Sequence, residues 1–211
     1  MNEDPIKKRR GANLPHWERS GATYSITYRL ADSLPKSAVE RLASERRMLE
    51  RQLAPDRTQL TPEERERLNV LCSERVDALL ANCHGACPLR NDAAASVVAD
   101  NLNHFDGKRY DLLAWCVMPN HVHVMATPYE GWPLDKLLHS WKQFTAKKVN
   151  ALLGRTGTFW QSEYYDHLVR GAADLAHCVK YILENPIKAG LKNWKWVGWK
   201  PGLFGVESGM G

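Results

Sequence analysis

Two histidines one residue apart, His121 and His123, sit in the run Met118-Pro119-Asn120-His121-Val122-His123-Val124-Met125. On an extended strand residues i and i+2 share a side, so both imidazoles can grip one divalent ion while Val122 and Val124 face a core. A second set lies toward the C-terminus. Asp174, His177, Tyr181 and Asn185 recur at i, i+3, i+7 and i+11 of a helical pattern whose apolar stripe is Leu175, Cys178, Val179 and Ile182. Packed beside the histidine strand, that helix would offer the Asn185 carbonyl oxygen as a third metal ligand and aim the Tyr181 hydroxyl at a metal-bound phosphate.

The chemistry this permits is transesterification of a phosphodiester. A phenol with a pKa near 10 is a poor nucleophile, so it must be held in line with a phosphate whose charge a metal neutralises. Imidazole and amide-oxygen ligation leaves positions for phosphate and water. It suits magnesium or manganese as working ions, with zinc or nickel as tight binders. The product, a 5′-phosphotyrosine, keeps the phosphodiester energy, so a DNA 3′ hydroxyl can attack it and rejoin strands without ATP. Each part also has a plainer reading. A His-x-His pair alone is more often structural, a helical tyrosine more often packs, and Asn185 before Pro186 can simply cap a helix. His177 is assigned no catalytic role. A hydrolase in which water attacks is the less favoured reading, since no positioned Glu or Asp accompanies the histidines in sequence.

The elements that must position these residues are legible from patterning. Thr23 to Leu30 is rich in β-branched and aromatic residues and predicts a first strand, stopped by Asp32-Ser33-Leu34-Pro35. Charged helical patterns over 36–53 and 62–81, the second opened by Thr61-Pro62-Glu63-Glu64, read as a helical insertion. A helix from Asp92 to about Asn103 follows, then a buried strand from Tyr110 to Met118. A turn at Pro119-Asn120 pairs it with His121 to Thr127. Leu134, Leu137, Leu138, Trp141, Thr145, Val149 and Leu152 mark the next helix. Its other faces carry Lys136, Lys142, Gln143, Lys147 and Lys148, a candidate phosphate-binding surface or an ordinary solvated face. Thr158 to Gln161 predicts an irregular aromatic loop and Tyr164 to Arg170 a short strand. Trp160 is a candidate for stacking on bases and Arg155 for contacting DNA. The last helix is expected from Ala172 to Asn185, closed by Pro186.

Composition sets the outer limits. The chain of 211 residues is 44% hydrophobic and long enough for one domain with a core. Its net charge of +5 and pI of about 9.0 favour polyanionic partners without singling them out. Residues 1–13, with Lys7-Lys8-Arg9-Arg10, read as a disordered basic arm. Five cysteines at irregular spacing describe reduced thiols rather than a disulfide framework. Cys83-His84-x-x-Cys87 lacks a second metal-binding half, so loop and core cysteines are the simpler reading. No apolar run approaches the roughly 20 residues of a membrane span, and the polar start, Met1-Asn2-Glu3-Asp4-Pro5, makes a cytoplasmic protein the expectation.

The ensemble of motifs closely resembles a known family. Met118-Pro119-Asn120-His121-Val122-His123, Phe159-Trp160-Gln161, Glu163-Tyr164-Tyr165-Asp166-His167 and Tyr181-Ile182-Leu183-Glu184-Asn185-Pro186-Ile187-Lys188-Ala189-Gly190-Leu191 resemble single-tyrosine HUH transposases of the IS200-like class. More narrowly, the chain looks like the REP-associated tyrosine transposases of bacteria. Asn13-Leu14-Pro15-His16-Trp17-Glu18 and Leu30-Ala31-Asp32-Ser33-Leu34-Pro35 resemble the opening of one branch. The resemblance implies an α+β, ferredoxin-like fold, a central antiparallel sheet flanked by helices, with the helical insertion after the first strand. It implies one domain over 14–193 and a tail over 194–211. It implies a metal-dependent endonuclease and strand transferase on single-stranded, hairpin-bearing DNA, with Tyr181 as nucleophile and His121, His123 and Asn185 as metal ligands. Related mobile-element transposases often carry glutamine at the position of Asn185. A non-cleaving hairpin-binding module is the alternative, and the REP-associated branch favours a monomer over a dimer with shared sites.

Overall fold

The computed structural model of the protein describes residues 7–10, 15–18, 21–55 and 60–203. Two short strands, β1 (Lys7–Arg10) and β2 (Pro15–Glu18), pair antiparallel as a separate ladder. Part of the arm expected to be disordered is therefore extended and paired, because backbone pairing needs no apolar content. Residues 1–6 and 11–13 of that arm lie outside the described residues.

The main chain then runs β3 (Tyr24–Leu30), α1 (Lys36–Leu53), α2 (Pro62–Leu80), α3 (Asp92–His104), β4 (Tyr110–Val117), β5 (His121–Pro128), α4 (Leu134–Leu152), β6 (Trp160–Leu168), α5 (Gly171–Lys188) and β7 (Val197–Trp199). One five-stranded sheet has the order β6-β3-β5-β4-β7, and every neighbouring pair is antiparallel. Within it, β3-α3-β4-β5-α4-β6 is a β-α-β-β-α-β unit of ferredoxin-like form, as the sequence implied, to which β1, β2, the α1–α2 pair, α5 and β7 are added. Among the described residues no helix is long and apolar enough to cross a membrane.

Local chemistry starts the helices. Thr61 and Glu64 form a reciprocal capping box at α2, with Pro62 at the first helical position. Asn91 accepts the Ala94 N–H at the start of α3.

The sheet separates two packed layers. On one face Ile26, Tyr28, Val122, Val124 and Ala126 meet α3 and α4 through Val98, Leu102, Leu137, Leu138 and Trp141 in the larger core. On the other, Ala114, Cys116, Met118 and Met125 meet Cys178, Val179 and Ile182 of α5. The α1–α2 insertion lies over that second face beyond α5, where Leu34, Val76 and Leu80 pack with Tyr165 of β6.

Three expectations change. The aromatic segment expected as loop plus short strand is one strand, β6, paired along β3 with a register shift between Tyr28 and Leu30. Burial of Phe159 and Trp160 in the larger core anchors its start, which local turn residues could not reveal. Helix α5 passes through Pro186 and ends at Lys188, with the Ala189 N–H on the Asn185 carbonyl and the Leu191 N–H on the Pro186 carbonyl. Proline removes one helical hydrogen bond, and burial of Asn185 and Pro186 in the packed layer outweighs that local preference. The segment after residue 193 contributes the edge strand β7. Its Gly198 lies under the Trp115 indole, where an added Cβ would sit 2.6 Å from the ring. Trp194 Nε1 donates to the Val117 carbonyl and Trp196 Nε1 to Asp92, fixing the approach.

Candidate active site

Strand β5 carries His121 and His123 onto the α5 face, 1% and 2% exposed, while Val122 and Val124 enter the opposite core. The two Nε2 atoms are 3.0 Å apart, with the rings nearly perpendicular at 88°. Each ring is tied from behind. Asn120 donates its Nδ2 to the Leu80 carbonyl, which turns its Oδ1 toward His121 Nδ1 at 2.7 Å. That contact places the proton on Nδ1 and leaves a lone pair on Nε2. His123 Nδ1 meets the Thr27 hydroxyl at 2.8 Å.

Burial pushes the His121 pKa well below its ordinary 6.5, with His123 adding to the effect. Burial likewise pushes His123 down to about 4. The Asn185 side chain, close to both rings, opposes these shifts without reversing them. Both imidazoles are thus neutral near pH 7, the form that binds metal. Asn185 of α5 is 8% exposed and its side chain acts on both rings, so α5 brings the third expected ligand against the pair.

The Tyr181 ring of α5 lies nearly perpendicular to that of His123, with centroids 5.5 Å apart. Its hydroxyl donates at 2.6 Å to Asp77 Oδ2 on α2, and Lys188 Nζ lies 5.4 Å from the ring centre. The four residues expected to form the site are thereby gathered between β5 and α5.

Sequence reasoning missed Asp77, 104 residues from Tyr181. The available signal was slight: an acidic residue beside the apolar stripe Leu68, Cys72, Val76 and Leu80 of a helix read only as an insertion.

The other candidates are elsewhere. Lys142 directs its ammonium at the carbonyls of Gln161, Ser162 and Glu163, at 3.0, 3.0 and 3.4 Å, and burial lowers its pKa to about 8. Trp160 is 6% exposed with its Nε1 on the Thr145 hydroxyl, so it has no free ring face to offer a base. Lys147 and Lys148 are exposed on α4, across the sheet from the histidines, and Arg155 follows that helix, half-buried.

A separate group joins His167 of β6 to Asp174 and Cys178 of α5, their ligand atoms all within 4.8 Å. His167 Nε2 contacts Asp174 Oδ2 at 2.8 Å, and Asp174 also accepts the Arg170 N–H at the start of α5. Among the described residues the Cys83–Cys87 pair makes no comparable group. Cys87 Sγ donates to the Cys83 carbonyl, in keeping with the loop reading.

Residues 95–185, which contain both histidines, Tyr181 and Asn185, match the family described as Transposase IS200 like. That match spans less than half of the chain. The chain is also similar to a REP-associated tyrosine transposase of Escherichia coli K12, 31% identical over 81 residues that cover 38% of this chain and 47% of that protein. A Haemophilus influenzae protein provisionally given the same name is 26% identical over 125 residues, covering 49% of this chain and 71% of its own. A solved structure of a REP-associated tyrosine transposase bound to a REP hairpin covers 90% of this chain and 81% of its own, at 18% identity and a TM-score of 0.41. The match to the Escherichia coli transposase thus spans less than half of that relative's length.

Proposed function

We propose that the protein is a metal-dependent single-stranded DNA endonuclease and strand transferase that acts on hairpin-bearing DNA through a 5′-phosphotyrosine on Tyr181. The observation that carries this reading is the convergence of the His121 and His123 Nε2 atoms, 3.0 Å apart, beside the Tyr181 ring.

The donor set fits a divalent ion. Two ligands each about 2.1 Å from a shared ion and about a right angle apart are themselves about 3.0 Å apart. The Asn120 contact leaves a lone pair on His121 Nε2, and a cation between the two Nε2 atoms would be held by both rings when His123 donates its Nδ1–H to the Thr27 hydroxyl. His121 and His123, with Asn185, would hold the ion. Magnesium or manganese bound there would neutralise phosphate charge and stabilise the leaving 3′ oxygen.

The protein's own groups do the rest. Asn120 and Thr27 hold the imidazoles in position. Tyr181, restrained by α5 and its bond to Asp77, supplies the oxygen that attacks phosphorus as the 3′ oxygen departs. The phosphotyrosine conserves the bond for attack by a DNA 3′ hydroxyl. In this reading the working unit runs past residue 193 to include β7, and the protein acts as a cytoplasmic monomer.

The test is incubation with end-labelled single-stranded hairpin DNA from the flanks of its own gene, plus manganese or magnesium, followed by denaturing electrophoresis. A covalent protein–DNA band from the wild type that is absent in Tyr181→Phe is the expected result. Cleavage that persists in Tyr181→Phe would establish water as the nucleophile. Tight binding with neither cleavage nor adduct would establish a non-cutting hairpin-binding module.

A further inference from the structure

The α1–α2 insertion reaches the proposed active site at two points. The Leu80 carbonyl at the end of α2 accepts from Asn120, whose Oδ1 orients His121. One turn earlier, Asp77 Oδ2 accepts the Tyr181 hydroxyl at 2.6 Å. Helix α2 is not loosely placed, since Leu68, Val76 and Leu80 are all but fully buried and Val76 and Leu80 pack with Tyr165 and Leu34. A carboxylate at this distance on a phenolic O–H makes a short, charge-assisted bond, within the reach required of a general base.

We infer that Asp77 is the general base of the tyrosine chemistry, supplied to the nucleophile by the helical insertion. The inference rests on Tyr181 being the nucleophile. As the Tyr181 oxygen bonds to phosphorus, its proton passes to the Asp77 carboxylate and the bond from phosphorus to the 3′ oxygen breaks. The proton returns through water to the departing 3′ oxygen, giving a 3′ hydroxyl. In rejoining, a 3′ hydroxyl attacks the phosphotyrosine, loses its proton through water to Asp77, and the Tyr181 oxygen leaves and regains a proton from that carboxyl group. Protons and charge balance in both directions.

This also gives the insertion a chemical purpose. Phenols ionise near pH 10, so at neutral pH an acceptor must take the proton as the new bond forms. Strand β5 and helix α5 supply two neutral imidazoles and an amide, β3 and β6 supply Arg29 and Tyr165, and the observed acceptor of the hydroxyl proton comes from α2.

The experiment measures the single-turnover rate of covalent adduct formation by the full chain on saturating hairpin DNA with manganese. Asp77→Asn keeps the size of the side chain and removes its basicity. The expected result is a rate about 10²–10⁴-fold lower, with hairpin DNA affinity and manganese affinity, read by titration, unchanged. Replacing Tyr181 with 3,5-difluorotyrosine, whose phenol ionises more readily, should restore most of the lost rate in the Asp77→Asn background. Asp77→Glu should retain more activity than Asp77→Asn. A wild-type rate in Asp77→Asn, or a loss that fluorinated tyrosine does not restore, would overturn the assignment while leaving Tyr181 as nucleophile. Absence of an adduct even from the wild type would overturn both readings together.

Discussion

The two sides of strand β5 are both buried, yet they differ in kind. Val122, Val124 and Ala126 enter a dry core with Ile26, Tyr28, Leu137 and Trp141, whereas His121 and His123 lie among hydrogen-bond partners beneath α5. Apolar burial stabilises a fold almost anywhere it occurs, at about 25 cal/mol for each Å² removed from water. Buried imidazoles do not, and two of them facing one another are retained at a cost in desolvation. The polar side is where the fold forgoes stability to hold polar groups against one another.

The contrast is sharpest at Trp141. Fully buried and donating to the Tyr110 hydroxyl, it should cost about 3–5 kcal/mol when changed to alanine, read as a lowered midpoint in urea unfolding. His121→Ala or His123→Ala should behave oppositely, with at least about a 100-fold loss of manganese affinity by calorimetric titration and a much smaller change in unfolding midpoint. A midpoint loss as large as that of Trp141→Ala would show the histidines to be ordinary core residues.

Asn120→Ala probes the layer behind the ligands. It should weaken metal binding by about 10–100-fold, because His121 loses the partner that fixes its ring, and it should also free the end of α2 from the Leu80 carbonyl contact.

Acid should separate the two faces as well. The His123 pKa lies near 4 in the folded protein, below its value near 6.5 in the unfolded chain, and that of His121 is lowered too. The unfolded chain therefore binds more protons as pH falls. The contribution of the neutral pair is whole above about pH 6.5 and is lost progressively toward pH 4. In metal-free protein Tm should decline across that window, and the decline should shrink in the His121→Gln/His123→Gln double variant.

The smallest effects belong to the outer surface of α4. Lys147→Ala and Lys148→Ala should change stability by no more than about 0.5 kcal/mol, because both side chains are exposed. As they sit across the sheet from the histidines, adduct formation at saturating DNA should also be unchanged. A large loss there would place DNA on the α4 side of the molecule. Lys142→Ala should instead lower Tm, since it strips three carbonyls at the start of β6 of their donor.

Patterning exposed most of the architecture. The period-2 alternation of β5, the helical stripe of α4 and the capping box of α2 are local signals, and each element formed where its signal stood. Signals failed where distant packing outweighed them. Pro186 reads as a stop, but the layer around Asn185 carries α5 onward, and Phe159 and Trp160 read as loop aromatics until the larger core takes them in. Lys142 and Trp160 show the same limit for function. A lysine and a tryptophan suit nucleic acid by type alone, and only burial revealed that their polar groups are engaged within the fold.

His121, His123, Tyr181 and Asn185 were determined as candidates by sequence, because spacing of two along a strand and of four along a helix fixes which side chains share a face. Tertiary structure decided that these faces meet, that each imidazole is neutral and oriented, and that Asp77 touches the Tyr181 hydroxyl. No local pattern encodes a contact across 104 residues. It arises from the packing of α2 on one side of the sheet and α5 beside it, and packing is a property of the assembled chain.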